Sequence, residues 1–267
     1  MDKASESVPV PYTVVNADPD VSFTWRGTGM PRWAVRDLAV GAAMAWNWNS
    51  PHDSLAFLNG TGLPAEQETR SMLESAWGVT SPNEAHRTLN QLLAAEMHVP
   101  VLDTLAGLYR VGGDVEPRQL LQKFVPGLLD GHRTHLQLLE ITDRRGPGSL
   151  PPLPGDLSAW DLSRAVFIAQ AAFTAGYIDD ESAWSAVRTA ADTSRARYGN
   201  WYQLGAAYLY GRAMWASDEL KPGATELTSE AREYLINSVV VISGLLTHPD
   251  SPWTRLPLHD TVREEHR

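Results

Sequence analysis

The chain contains no cysteine, which excludes disulfides, thiolate catalysis and cysteine-ligated metal sites. This absence fits a reducing cytoplasm, so a cytoplasmic location is expected. Long apolar runs are also missing, since no stretch reaches the roughly 18 uninterrupted residues that a membrane span needs. The nearest run, Tyr234 to Leu246, is shorter and contains Asn237. We therefore interpret it as a buried helix and expect no membrane partner.

Positive charge is scarce, because 22 Lys and Arg residues stand against 32 Asp and Glu, a formal net charge of −10. A surface of this sign repels polyanions, and no basic stripe offsets it, so no nucleic-acid partner is expected. The first twenty residues lack the positive end and apolar run of a secretory signal. We assign residues 1–24 to a flexible tail.

Established catalytic motifs are absent as well. The chain has no GxSxG, Walker, HExxH or dinucleotide-binding fingerprint, so no cofactor is expected. His132 and His135 are spaced i and i+3, which could let them reach one metal ion. No carboxylate completes a recognised ligand pattern around them, so we interpret them as part of a solvated helix face and expect no metal site.

The chain is rich in helical periodicity and in helix start and stop signals. No stretch alternates at the period of a strand. The predicted class is all-α, a compact multi-helix domain of about nine helices. The predicted helices cover residues 31–48, 64–77, a segment from 81, 100–110, 117–142 with a kink at 126–127, 158–175, 179 or 180–198, 200–216, and 228 or 229–246.

End signals support several of these boundaries. Ser81 and Glu84 are spaced as a capping box. Ser158, Asp179 or Asp180, and Asn200 are candidate N-caps, and Gly176 is a candidate left-handed stop.

A segment rich in proline and glycine, residues 146–157, divides the helices into two halves. We predict one domain over residues 25–248, in which the halves 25–145 and 158–248 pack on each other. Residues 249–267 are polar and contain proline, so we predict a loosely ordered tail there.

The predicted helix from Ser158 is apolar nearly all round, which is typical of a central helix. Its wheel nonetheless brings Asp161 and Arg164 into one arc with Trp160. These charges should be largely desolvated, and a buried charge without a partner costs several kcal/mol. They therefore form a structural ion-pair network or a site that receives a ligand.

The predicted helix after Asn200 adds a second cation. One of its faces carries Trp201, Tyr208, Arg212 and Trp215 and can stack a guanidinium. One carboxylate would then face two guanidiniums, so a closed network needs carbonyl acceptors, a bound anion or another acid such as Glu181 or Glu140.

A longer motif runs through the same stretch and comprises Trp160, Asp161, Arg164, Gly176, Tyr177, Ile178, Ala183, Trp184, Trp201, Gly211, Arg212 and Trp215. This motif resembles that of an uncharacterised bacterial family, domain of unknown function 1266. Phe167 and Gln170 depart from the family pattern, which has a polar residue and an arginine there. The resemblance implies an all-helical fold and brings no activity.

Two functions remain open at this point. The first is a helical interaction module whose partner is another protein. The second is a hydrolase-type enzyme or a binding protein for an anionic or polyhydroxyl molecule, in which Asp161 acts with Arg164 and Arg212. A ligand-sized concavity at this cluster favours the second. The candidate network or ligand site comprises Asp161, Arg164, Arg212, Trp160, Tyr177, Trp201, Tyr208 and Trp215.

Overall fold

A computed structural model describes residues 22–48, 50–94, 156–218 and 229–259. These ranges are helical and contain no strand, which confirms the all-α class. The helices predicted over 100–110 and 117–142, with His132 and His135, lie outside the described residues, as does most of the predicted linker. The described helices are α1 Arg32–Leu38, α2 Ala42–Asn47, α3 Glu66–Trp77, α4 Pro82–Ala94, α5 Ser158–Thr174, α6 Asp180–Arg197, α7 Trp201–Asp218, α8 Ser229–Thr247 and α9 Pro252–Arg255.

Helix α5 forms the centre of the described structure. Sixteen of its seventeen residues are buried. Helices α2, α3 and α4 pack on it from one part of the chain, and α6 and α7 from the other. The interpretation of this segment as a central helix is confirmed.

The single helix predicted over residues 31–48 is broken by a short 3-10 turn, Ala39–Gly41, between α1 and α2. Side chains from other parts of the chain bind the backbone there. The Ser163 hydroxyl donates to the carbonyl of Val40 (2.7 Å), and the Trp253 indole donates to the carbonyl of Ala39 (2.8 Å). These tertiary hydrogen bonds compete with the regular helical pattern.

Local signals correctly predict one end of each of three helices. The side chain of Asp179 accepts from the amide of Ser182 (2.8 Å) at the start of α6. Asn200 accepts from the amide of Gln203 (2.9 Å) at the start of α7. Gly176 follows α5 with a φ of 71°, as the left-handed stop requires.

The predicted N-cap at Ser158 is wrong. Ser158 is the first residue of α5, and its amide donates to the carboxylate of Asp156 (2.7 Å). The next amide, of Ala159, donates to the hydroxyl of Tyr198 (2.9 Å). A carboxylate is a stronger acceptor than a serine hydroxyl, and Tyr198 comes from the end of α6, where a local signal does not reveal it.

At α4 the predicted capping box is present in part. The hydroxyl of Ser81 accepts from the amide of Glu84 (3.4 Å). The Glu84 carboxylate reaches one residue further back than the motif requires and accepts from the amide and hydroxyl of Thr80 (2.8 and 2.7 Å).

The described part of the predicted C-terminal tail, residues 249–259, is packed on the core. Trp253 is 5% exposed. Its ring stacks on that of Trp201 with centroids 5.1 Å apart and planes at 3°. Leu258 is also buried. The expectation of loose order is therefore wrong here, because one tryptophan supplies enough apolar area to anchor a short polar segment.

Order also begins earlier than residue 25, since Phe23 packs against the core. The loop that follows is held by Asp53. Its carboxylate accepts from the backbone amides of Arg26, Gly27 and Thr28 (2.8, 2.7 and 3.2 Å). A single buried carboxylate thus fixes the backbone of residues 26–28.

Gly41 marks a close contact between the 3-10 turn and α5. A Cβ at this position would lie 2.7 Å from Cγ1 of Val166. We expect Gly41→Ala to lower the free energy of unfolding by about 1–3 kcal/mol, because a packed core tolerates added volume poorly. Urea denaturation measures this. Gly60→Ala is the control, since its Cβ meets nothing within 4 Å; equal losses in both variants would contradict the assignment.

His52 lies beside the rings of Phe23 and Trp25, with centroids 5.5 and 5.9 Å away. Burial lowers the pKa of His52 to about 4, although the nearby Asp53 carboxylate raises it. The folded state therefore binds a proton less readily than the unfolded state. The neutral ring contributes its full stability above about pH 6.5, and this contribution is lost as the pH falls towards 4.

We expect stability to fall by up to about 3 kcal/mol across this pH window because of His52. Urea denaturation at pH 7 and pH 4.5 measures the loss, which should be smaller in His52→Phe. His86→Gln replaces an exposed histidine and is the matched control. An identical pH dependence in wild type and His52→Phe would show that the buried ring is not responsible.

Candidate functional site

Asp161 and Arg164 form a buried ion pair within α5. Nη2 of Arg164 donates to Oδ1 of Asp161, and the two side chains are 9% and 3% exposed. The spacing of three residues places both groups on the same side of the helix. The predicted desolvation of these two charges is confirmed.

Two guanidiniums lie over the indole of Trp160. Cζ of Arg164 is 4.8 Å from the centroid of this indole, and Cζ of Arg212 is 5.3 Å from it. Arg212 also lies over Trp215 (4.5 Å) and Tyr234 (5.3 Å). The predicted stacking of a guanidinium on the aromatic face of α7 is confirmed, and the Trp160 indole links Arg212 to the cluster.

A glycine brings the two helices together at this point. A Cβ at Gly211 would lie only 2.4 Å from Cβ of Trp160. Helix α7 can therefore contact α5 directly beside Trp160. Since Arg212 follows Gly211 in the chain, the close approach also delivers its guanidinium to the indole.

These side chains form part of the wall of a cavity of about 820 Å³. Of the lining residues that the structure describes, Arg164 and Arg212 are the only charged ones. Asp161 is not among them, and its link to the cavity is its ion pair with Arg164. The described lining comprises Met44, Trp46, Asn47, Trp48, Ala76, Trp77, Trp160, Arg164, Tyr208, Arg212, Trp215, Tyr234, Asn237 and Ser238.

Three lining residues carry hydrogen-bond donors that are poorly satisfied. Within the described ranges, Nε of Arg164 and Nε1 of Trp160 are buried and have no partner. The hydroxyl of Tyr208 donates to the sulfur of Met44 (3.5 Å), which is a weak acceptor. Burial raises the pKa of Tyr208, although the two arginines act against this, so the phenol remains a donor. Three donors of the described wall are thus left without a strong acceptor.

Two predicted site residues lie away from the cavity. Tyr177 follows the far end of α5, where Arg70 lies over its ring (5.5 Å). Trp201 stacks on Trp253, and its indole donates to the carbonyl of Leu256 (2.6 Å). Both are better explained as packing anchors.

The acids proposed to close the charge count are not at the cavity in the described structure. Glu181 is exposed in the first turn of α6. Glu140 lies outside the described residues.

Sequence reasoning missed the walls that come from α2 and α8. Trp46, Asn47 and Trp48 alternate aromatic and amide side chains where α2 ends, which is unusual for a helix read only as core. The run from Tyr234 was interpreted as a buried helix. Tyr234 is instead 52% exposed and lines the cavity with Asn237.

The described residues contain no cluster of three or more His, Asp or Glu that could hold a metal ion. Among the helices of this part of the chain, none combines the length and hydropathy needed to cross a membrane.

A family model described as "Protein of unknown function (DUF1266)" matches residues 72–258, more than half of the chain. The chain belongs to the DUF1266 family. Comparisons with curated proteins and with solved structures find no significant match. The matched segment of this DUF1266 protein contains the cluster around Trp160, whereas the α2 wall of the cavity precedes it.

Phe167 and Gln170, which are expected from the sequence to depart from the family pattern, both have packing roles in the structure. Phe167 is fully buried, and its ring lies 5.7, 5.2 and 6.2 Å from those of Trp48, Phe57 and Trp77. Gln170 donates to the carbonyl of Ser54 (2.9 Å). Both residues hold neighbouring segments against α5.

Replacing Asp161 by Asn should lower the free energy of unfolding by about 3–5 kcal/mol, because Arg164 loses its counter-charge while remaining buried. Denaturant titration measures the loss. Asp250→Asn is the matched control, since it removes a carboxylate that pairs with Arg255 on the exposed surface. The control should lose no more than about 1 kcal/mol. An Asp161→Asn variant as stable as wild type would show that the buried pair is dispensable.

Proposed function

We propose that this protein binds a small anionic molecule in the cavity between α2, α3, α5, α7 and α8. The observation that carries the proposal is the presence of two guanidiniums in the wall of a cavity of about 820 Å³. Cavities that hold small ligands span roughly 300–1,000 Å³ and place a few polar groups in a mainly apolar lining. The cavity favours ligand binding over the alternative function, a protein-interaction module. That alternative stays a prediction.

The guanidiniums suit an anion in charge and in shape. A planar guanidinium offers parallel N–H groups that match a carboxylate or phosphate in a bidentate arrangement. Attraction between charges is stronger where water is partly excluded, and Arg164 is 7% exposed. Trp160 holds both cations at its ring and limits their freedom, which lowers the entropy cost of binding.

The poorly satisfied donors also favour an anionic ligand. A buried donor without an acceptor costs about 1–3 kcal/mol. An oxyanion in the cavity would bring strong acceptors close to this group of donors. A neutral ligand rich in donors would leave this deficit in place.

A binding role accounts for Asp161 better than a catalytic one. Its carboxylate is engaged by Arg164 and is not among the described lining residues. We therefore assign Asp161 the task of orienting Arg164, and propose a binding protein instead of a hydrolase. We further propose a cytoplasmic location, supported by the absence of cysteine from the sequence.

Thermal-shift assays with inorganic phosphate, phenyl phosphate, benzoate and octanoate test the proposal. A ligand at 100 times its dissociation constant adds about 2.7 kcal/mol of stability. Ala76→Glu places a carboxylate on an exposed lining residue and should weaken binding at least about tenfold. Ser75→Glu adds the same charge to the adjacent exposed residue, which is not in the described lining.

Arg212→Gln provides a second comparison, because it removes a lining cation that is only partly buried. Arg188→Gln is its control. Arg188 also lies over an indole, that of Trp33 (4.9 Å), but is not among the described lining residues. Binding should weaken only in Arg212→Gln. If no anion in the panel stabilises the wild type, or if both glutamate variants behave alike, the proposed function is wrong.

A further inference from the structure

We infer that the ligand is an aromatic anion, a flat ring system that carries a carboxylate or phosphate. This inference rests on the proposed function and adds the class of ligand to it. It is drawn from the aromatic side chains that line the cavity on five helical elements and from the way the guanidiniums lie among them.

Two large aromatic residues of the lining are exposed. Trp48, at the end of α2, is 46% exposed, and Tyr234, in α8, is 52% exposed. Such rings normally bury 150–250 Å² each, and apolar area left in water is unfavourable. A flat ligand that covers them would remove this area from water. The two rings come from separate elements and line the same cavity.

The position of Arg212 indicates how the aromatic ring of the ligand lies relative to its acid group. Arg212 lies over the faces of Trp160, Trp215 and Tyr234, within 5.3 Å of each centroid. An anion that pairs with Arg212 therefore lies close to several aromatic rings. Flat ligands that join a ring directly to an acid match this arrangement.

The cavity also has polar side chains that could orient such a ligand. Asn47 and Asn237 are exposed lining residues, and each amide offers both donors and an acceptor. They suit a heteroatom or a hydroxyl substituent on the ring. A saturated acid of the same size would reach the cations equally well but would lack the π face that stacks on indole and guanidinium.

Isothermal titration with matched probes separates these contributions. The probes are 2-naphthoate, its saturated counterpart decahydronaphthalene-2-carboxylate, and neutral 2-naphthylmethanol. We expect 2-naphthoate to bind wild type at least about fivefold more tightly than the saturated acid, because only the aromatic acid presents a π face that stacks on indole and guanidinium groups. The neutral probe should bind at least about tenfold more weakly than 2-naphthoate, since it lacks the charge.

Substitution of exposed tryptophans shows which residue causes the preference for the aromatic acid. Trp48→Leu should reduce the ratio of the two acid affinities towards one. Trp33→Leu is the matched control, since Trp33 is 38% exposed and is not among the described lining residues. It should leave the ratio unchanged. Tyr234→Leu repeats the test on the opposite wall.

The outcomes distinguish the inference from the proposed function. If both acids bind wild type equally, or if Trp33→Leu alters the ratio as much as Trp48→Leu does, the aromatic ligand is excluded and anion binding stands. If 2-naphthylmethanol binds as tightly as 2-naphthoate, or if neither acid binds, the proposed function fails with it.

Discussion

The burial of α5 on every side is the constraint on which the rest of the structure depends. A helix with sixteen of seventeen residues buried gives its charged side chains little access to water. Asp161 and Arg164 satisfy this condition by pairing within the helix. Arg164 keeps its position over Trp160, so the same pair that permits burial also fixes where a cation meets the cavity. The structural and ligand-binding interpretations of this cluster are therefore compatible.

The link between fold and site runs through close contacts at two glycines. Gly41 lets the turn before α2 meet α5, and Gly211 lets α7 meet α5 at Trp160. Each contact determines how the following residues are presented: Arg212 after Gly211, and the aromatic end of α2 after Gly41. The cavity lies between helices whose spacing is set by these contacts. A wall built in this way depends on the core and not on a mobile loop.

Much of the fold could be predicted because its signals are local. The caps at Asp179 and Asn200 and the apolar circumference of α5 can be read from a few adjacent residues. Ser158 was misassigned because its competitors, Asp156 and Tyr198, act through the folded structure. The cavity could not be predicted from the sequence for the same reason. A helical wheel compares residues on one helix, whereas this lining joins α2 to α8 across most of the chain.

Contacts within the protein hold the aromatic residues of the lining in place. Two guanidiniums lie over the indole of Trp160, and Trp48 and Trp77 lie against the buried ring of Phe167. Side chains with few rotatable bonds that are already in contact lose little entropy when a ligand binds. Ordering long, unrestrained arginines would by contrast oppose association. The stacking contacts that restrain Arg164 and Arg212 form during folding, as the hydrophobic packing does. Binding of the proposed ligand therefore does not have to supply the free energy needed to order these side chains.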